Sequence, residues 1–185
     1  MNSGAPDVTF LWDTYALPET KRIHCLWVSR LAVWFAQRLM EKNSSIHVDI
    51  TLLETAALVH DIDKTIPKLQ GERHPDAAVR VLRERGYTDV ADVVQTHPLH
   101  AILDNNISPK SWEEKILYLS DKMVKQEVIT VDKRFALWRA ENLPKEAVAQ
   151  LDAAYPKVKL LEQEICSILT MRPDDIALSL QEAWN

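Results

Sequence analysis

Apolar residues recur with the period of an α-helix along most of the chain, and this pattern limits the fold more than any other feature. The clearest segment runs from about residue 20 to residue 42. The two-residue alternation of a β-strand is nowhere convincing, and only 3 glycines are available for tight turns. We therefore expect an all-α protein built as a compact helical bundle. The apolar set of the first long helix comprises Ile23, Trp27, Val28, Leu31, Trp34, Phe35 and Leu39.

The second predicted helix is the most apolar of the chain. Asp49 is a suitable N-cap, because its side chain can accept a hydrogen bond from the first turn. The helix then runs into the adjacent pair His60-Asp61, and residues 63–71 are predicted to form a loop. The pair is therefore expected at the end of a buried helix.

Capping residues and helix breakers divide the rest of the sequence. His74-Pro75 is predicted to open a third helix that ends near Gly86, and Thr88 to cap a fourth. Residues 111–114, Ser-Trp-Glu-Glu, form the pattern of a capping box and predict a fifth helix. Further helices are expected at about residues 131–141, 145–170 and 174–183, with breaks or kinks at Pro144, Pro156 and Pro173.

The length of 185 residues suits one domain. We predict a single domain over residues 1–185. Its motif-bearing core would cover about residues 20–140, with C-terminal helices at about 145–185 packed on it. The oligomeric state cannot be inferred from the sequence.

The composition limits the possible partners and compartment. The net charge is −5, which gives no support for a nucleic-acid or anionic-membrane partner. The N-terminus has no secretory signal, and residues 26–40 are too short and too polar to span a membrane. Cys25 and Cys166 lie far apart in apolar stretches and are expected to be reduced and buried. These features predict a cytoplasmic protein.

Several polar side chains share helix faces with apolar residues, where solvated residues are not expected. His24 precedes Trp27, Val28 and Leu31 at helical spacing, and Asp121 shares a face with Leu117. The complete inward-facing set is His24, His60, Asp61, His74, His97 and Asp121.

A divalent metal accounts for this set better than separate partners do. A lone histidine on an apolar face is more often an ordinary core residue, and a buried aspartate can be paired with an arginine. An ionised carboxylate without a partner, however, costs several kcal/mol in the interior. One metal site would satisfy all six side chains together. Imidazole nitrogen and carboxylate oxygen suit iron, manganese, zinc or nickel better than calcium.

The order His…His-Asp…His…His…Asp resembles the HD-domain superfamily of metal-dependent phosphohydrolases. Residues 57–64, Ala-Leu-Val-His-Asp-Ile-Asp-Lys, look like the family's HDIGK element. Residues 117–122, Leu-Tyr-Leu-Ser-Asp-Lys, look like its final aspartate motif, and residues 132–135 sit where many members have an Arg-Phe-containing helix. The resemblance covers roughly residues 20–140 and implies an all-helical fold with its metal site in the core.

The resemblance also implies roles for individual residues. One metal would be held by His24, His60, Asp61 and Asp121, with Asp61 bridging to a second metal held by His74 and His97. Two divalent ions are therefore expected, with iron or manganese preferred and zinc, nickel or magnesium as alternatives. His100, one short turn beyond His97, is an alternative ligand or a proton donor to the leaving group. Because apolar periodicity places His97 inward, His97 is the preferred ligand.

Charged residues near the motif are candidates for catalysis and substrate binding. Asp63 stands where HDIG has glycine, and could be a general acid or base, a support for a ligand, or an ordinary loop residue. Asp61, Asp63 and Lys64 are the candidate catalytic residues. Lys64, Arg73, His100 and Lys122 are the candidate substrate-binding residues. Lys68 and Lys125 could line the mouth of the site, although Lys125 is more simply interpreted as a surface residue.

Three functions are compatible with these motifs. The preferred one is a metal-dependent phosphohydrolase that cleaves a phosphate ester or anhydride of a nucleotide or small phosphorylated metabolite with metal-activated water. The alternatives are a di-iron oxygenase that uses the same ligands, and a non-catalytic regulator that binds a metal or nucleotide. Basic residues near the motif favour the first.

Overall fold

The computed structural model describes residues 6–184, with side chains described as far as residue 181. Within this range the chain forms nine α-helices and two short 3₁₀ helices, and no strand, which confirms the expected all-α class. The 3₁₀ helices are Ile62–Lys64 and Leu99–Leu103. The α-helices are α1 (Val8–Thr14), α2 (Glu19–Lys42), α3 (Ile50–Val59), α4 (Asp76–Glu84), α5 (Thr88–Gln95), α6 (Trp112–Lys122), α7 (Val131–Arg139), α8 (Lys145–Leu169) and α9 (Pro173–Trp184).

Helix α2 is the central element of the core. Its predicted apolar face is largely confirmed, since Val28, Leu31, Phe35 and Leu39 have no exposed surface, while Ile23 is exposed. Burying a side chain of this size contributes about 1.5–3 kcal/mol. The buried face of α2 packs against α3, α6 and α8. Any polar residue on this face is therefore held at the centre of the molecule.

Two predicted caps fix the helices that carry the motif residues. Asp49 accepts a hydrogen bond from Leu52 N, so α3 begins where expected. Ser111 and Glu114 form the predicted capping box of α6. Because α3 ends at Val59, His60 occupies the C-cap position.

Other local expectations were wrong. The third helix does not open at His74-Pro75, because α4 begins at Asp76 with Pro75 as its N-cap residue. His74 therefore precedes the helix. Thr88 is the first residue of α5 and does not cap it. By contrast, α8 continues through Pro156, as the predicted helix at residues 145–170 required.

Helix α1 was not expected from the sequence. Asp7 caps it by accepting a hydrogen bond from Phe10 N. Leu11 and Trp12 are buried, and the Trp12 indole donates to the carbonyl oxygen of Leu58 on α3 at 2.8 Å. This short helix thus covers the side of α3 that leads to the motif pair.

Both cysteines are free and buried, as expected. Burial raises the pKa of the Cys166 thiol to about 12, so it remains protonated at neutral pH. Among the described helices, none combines the length and apolar character needed to cross a membrane.

Candidate metal centre

Four histidines and two aspartates meet where five segments of the fold converge. α2 carries one histidine, the end of α3 carries the adjacent pair, and α6 carries an aspartate. The two remaining histidines lie just before α4 and just after α5. With Asp63, they form three groups whose potential ligand atoms lie within 4.8 Å of one another. The groups are His24, His60 and Asp121; His60, Asp61 and His97; and Asp61, Asp63 and His74.

Hydrogen bonds at Nδ1 orient three of the histidine rings. His60 Nδ1 lies 2.7 Å from Ala57 O, and His97 Nδ1 lies 2.6 Å from Val94 O. Because a carbonyl oxygen can only accept, both Nδ1 atoms carry the proton and Nε2 retains a lone pair in the neutral ring. His74 Nδ1 lies 2.8 and 3.0 Å from the two carboxylate oxygens of Asp63. All three rings therefore offer Nε2 as a ligand atom.

The Nε2 atoms and the aspartate oxygens lie close together. Asp121 Oδ1 is 3.0 Å from His24 Nε2 and 3.6 Å from His60 Nε2. Asp61 Oδ1 is 4.0 Å from His60 Nε2 and 3.7 Å from His74 Nε2. Asp61 is thus the carboxylate within reach of both ends of the cluster.

The surroundings of the histidine Nε2 atoms indicate in two ways that these residues fit a divalent cation. His60 Nε2 is buried and has no hydrogen-bond partner among the described residues, although an unsatisfied buried polar atom costs about 1–3 kcal/mol. His97 Nε2 and His74 Nε2 lie 2.9 Å apart. Since both rings bond through Nδ1, two lone pairs would face each other in the neutral rings. A cation that accepts these lone pairs would remove both costs.

The aspartates are held in the charged form that metal ligation requires. Burial raises the pKa of Asp61, but His60 and Lys64 outweigh it, so that the pKa lies far below its usual range. Burial likewise raises the pKa of Asp121, and Lys122 and His60 reverse that effect. Both carboxylates are therefore ionised at neutral pH.

Lys122 is buried beside the cluster, with 2% of its surface exposed. Its ammonium group donates to Asp121 Oδ2 and to the carbonyl oxygen of His97, both at 2.6 Å, and lies over the Tyr118 ring. It thus links the two segments that carry Asp121 and His97. We propose that Lys122 positions these two residues, rather than binding substrate as the sequence had suggested.

A cavity of about 420 Å³ opens beside the cluster. Of the predicted substrate-binding residues, Lys64 and Lys122 line it, whereas Arg73 and His100 are not among its lining residues. The remaining lining residues are Thr20, Lys21, His24, Asp61, His74, Pro98, Leu99, Asp121, Lys125, Arg134 and Trp138.

Lys21, Arg134 and Trp138 line the cavity but were not predicted as site residues. Lys21 lies one helical turn before His24, a spacing that could have identified it, and its ammonium group is 3.0 Å from Asp61 Oδ2. Arg134 and Trp138 lie on α7. The likeness of residues 132–135 to the Arg-Phe-containing helix of many HD-domain members is a signal that could have identified Arg134. Lys125, expected at the surface, is exposed and also lines the cavity.

The structure distinguishes the surroundings of His97 and His100. His97 is buried against the rings of His60 and His74, whereas His100 is half-buried and bonds to none of the six cluster residues. Burial lowers the pKa of His97, and the neighbouring His74 and His60 lower it further, so the ring is neutral.

We expect His97→Ala to lower the affinity for Mn²⁺ by more than the roughly 10–100-fold that follows loss of a supporting group. His100→Ala is the matched control and should keep the metal content of the unmodified protein. Inductively coupled plasma mass spectrometry of the dialysed variants measures this content. The reverse result would make His100 the ligand.

The family model for the HD domain matches residues 22–132, more than half of the chain. The protein belongs to the HD domain family. No match was found among curated proteins or among solved structures. The HD domain belongs to a superfamily of metal-dependent hydrolases, and the His/Asp cluster of this member fits divalent metal binding.

Proposed function

We propose that this HD domain protein is a metal-dependent phosphohydrolase acting on a nucleotide or another small phosphorylated metabolite. The observation that carries the proposal is the cavity itself. A cluster of imidazole and carboxylate ligand atoms lines one wall, and the ammonium groups of Lys21 and Lys64 lie beside it. Lysines at a cavity wall favour an anionic substrate.

Two divalent cations are proposed, with iron or manganese preferred. His24, His60, Asp61 and Asp121 would hold one, and Asp61, His74 and His97 the other. When bound, such cations polarise a phosphoryl oxygen and lower the pKa of water. The proximity of Asp61 to both His60 and His74 supports its role as the shared ligand.

The side chains beside the ligands have separate proposed roles. Lys64 is partly exposed, and its ammonium group, 3.3 Å from Asp61 Oδ1, can turn to a phosphate oxygen. Asp63 is 1% exposed, and both of its carboxylate oxygens contact His74 Nδ1. We therefore propose that Asp63 fixes the ring of His74, which leaves it poorly placed as a general acid or base.

The test is an assay of phosphate release from a panel of phosphorylated compounds, with and without Mn²⁺ or Fe²⁺. Phosphate release should require metal. It should fall to background in His60→Ala, because this change removes the ring whose Nε2 atom is buried and unpartnered. His47→Ala, which removes an exposed histidine outside the cluster, should leave the rate unchanged. Release that survives His60→Ala would overturn the metal mechanism. Oxygen uptake without phosphate release would support the oxygenase alternative.

A further inference from the structure

We propose that one part of the cavity wall, formed by Arg134 and Lys125 and called the outer wall below, binds a second anionic group of the substrate. The substrate would then carry at least two phosphates. Arg134 is the main contact and Lys125 the second. This inference rests on the proposed function and narrows its substrate class to diphosphates, polyphosphates and bisphosphates.

The guanidinium group of Arg134 is held in place but not satisfied. Its Cζ atom lies 4.6 Å from the centre of the Trp138 ring, one helical turn further along α7. Its Nε atom is buried and has no hydrogen-bond partner in the part of the chain that the structure describes. A planar guanidinium group fixed against an aromatic ring can donate two parallel hydrogen bonds to a phosphate. Arg134 therefore has the form of an unfilled anion-binding group.

The charges along the cavity fall into two sets. Near the candidate metal ligands, Lys21 and Lys64 pair with Asp61, and Lys122 pairs with Asp121. Arg134 and Lys125 make no ion pair with any residue between 6 and 181. The positive charge of the outer wall is thus left for a ligand.

The cavity is large enough for such a ligand. Its volume of about 420 Å³ lies within the range of small-molecule sites, whereas a single phosphate would fill a small part of it. Pro98 and Leu99 supply an apolar part of the lining. A phosphate at the candidate metal cluster and a second one at Arg134 would use both charged parts of the wall.

The experiment compares two probes on the full-length, Mn²⁺-loaded protein by isothermal titration calorimetry. The probes are inorganic phosphate and the non-hydrolysable methylenediphosphonate. The unmodified protein should bind the diphosphonate at least tenfold more tightly than phosphate. Arg134→Gln should weaken diphosphonate binding by roughly 10–100-fold, the usual range for charged hydrogen bonds, and change phosphate binding less than threefold. Metal content is measured after each titration, so that chelation is recognised.

Two further variants of basic residues test the second anionic site. Lys125→Gln alters an exposed side chain and should weaken diphosphonate binding by roughly 3–10-fold, which keeps the test valid if Arg134→Gln folds poorly. Lys133→Gln removes an exposed charge of α7 that is absent from the cavity lining and should have no effect. Equal weakening of both probes, or none, would overturn the second anionic site. If diphosphonate binding depends on Arg134 but no compound releases phosphate, the second anionic site is supported and the proposed hydrolase activity is rejected.

Discussion

Asp61→Asn is expected to lower the rate of metal-dependent phosphate release by about a thousandfold. Asp61 Oδ1 is the carboxylate atom that lies near both His60 Nε2 and His74 Nε2, so it is the proposed shared ligand. Loss of metal-based stabilisation of the transition state amounts to several kcal/mol, and each 1.36 kcal/mol corresponds to about a tenfold change in rate. The amide also removes the charge that holds Lys21 and Lys64. The rate constant and the bound metal per chain are the two measurements.

The control for this variant is Asp89→Asn, which neutralises an exposed carboxylate in the first turn of α5. It should keep the rate and the metal content of the unmodified protein. A normal metal content and rate in Asp61→Asn would remove Asp61 from the proposed centre. A normal metal content with a thousandfold lower rate would instead show that the carboxylate acts in the reaction and is dispensable for binding.

Lys122→Met is expected to lower the free energy of unfolding of the metal-free protein by roughly 3–5 kcal/mol. The ammonium group is buried and bonded to Asp121 and to the His97 carbonyl oxygen, so its removal leaves a partly buried carboxylate and a carbonyl oxygen without this donor. For a protein of this size the melting temperature should fall by on the order of 10 °C. Urea unfolding followed by circular dichroism measures the change. Mn²⁺-loaded protein should lose less, because a bound cation offsets the charge of Asp121.

Lys115→Met is the matched control on the same helix. Lys115 pairs with Glu164 at 2.6 Å, but the pair is partly exposed, and such pairs contribute about 0–1 kcal/mol. The proposed positioning role requires that the Lys122 variant lose several times more stability than the Lys115 variant. Equal losses would mean that the buried link contributes no more than a surface pair.

The parts of the fold with the strongest local signals were predicted from the sequence. The long apolar period predicted α2, and the side chains of Asp49 and Ser111 predicted the starts of α3 and α6 because capping involves near neighbours in sequence. Helix α1 could not be predicted in the same way. Its seven residues are too few for a periodic pattern, and Trp12 is fixed by a hydrogen bond to Leu58, 46 positions away.

In the candidate centre too, some residues could be predicted from local patterns, whereas others depend on tertiary packing. Face analysis and the motif order identified the histidines and aspartates that the fold brings together. The other wall of the cavity, with Arg134 and Trp138, depends on where α7 lies relative to the cluster, which no local pattern encodes. The packing of α8 against α2 and α6 is likewise tertiary, and it supports the proposal that the C-terminal helices complete one domain.

The hydrogen bond between His24 and Asp121 joins residues 97 positions apart. A binding centre drawn from α2 and α6 does not exist in a chain whose second half has yet to be synthesised. Under the proposed function, the cation site that includes Asp121 can therefore fill only after α6 has been translated and has docked against α2, and the bound ion would then close a very long loop. For this HD domain protein, the supply of metal in the cell would, under the proposed function, influence how much of the newly made chain reaches its folded form.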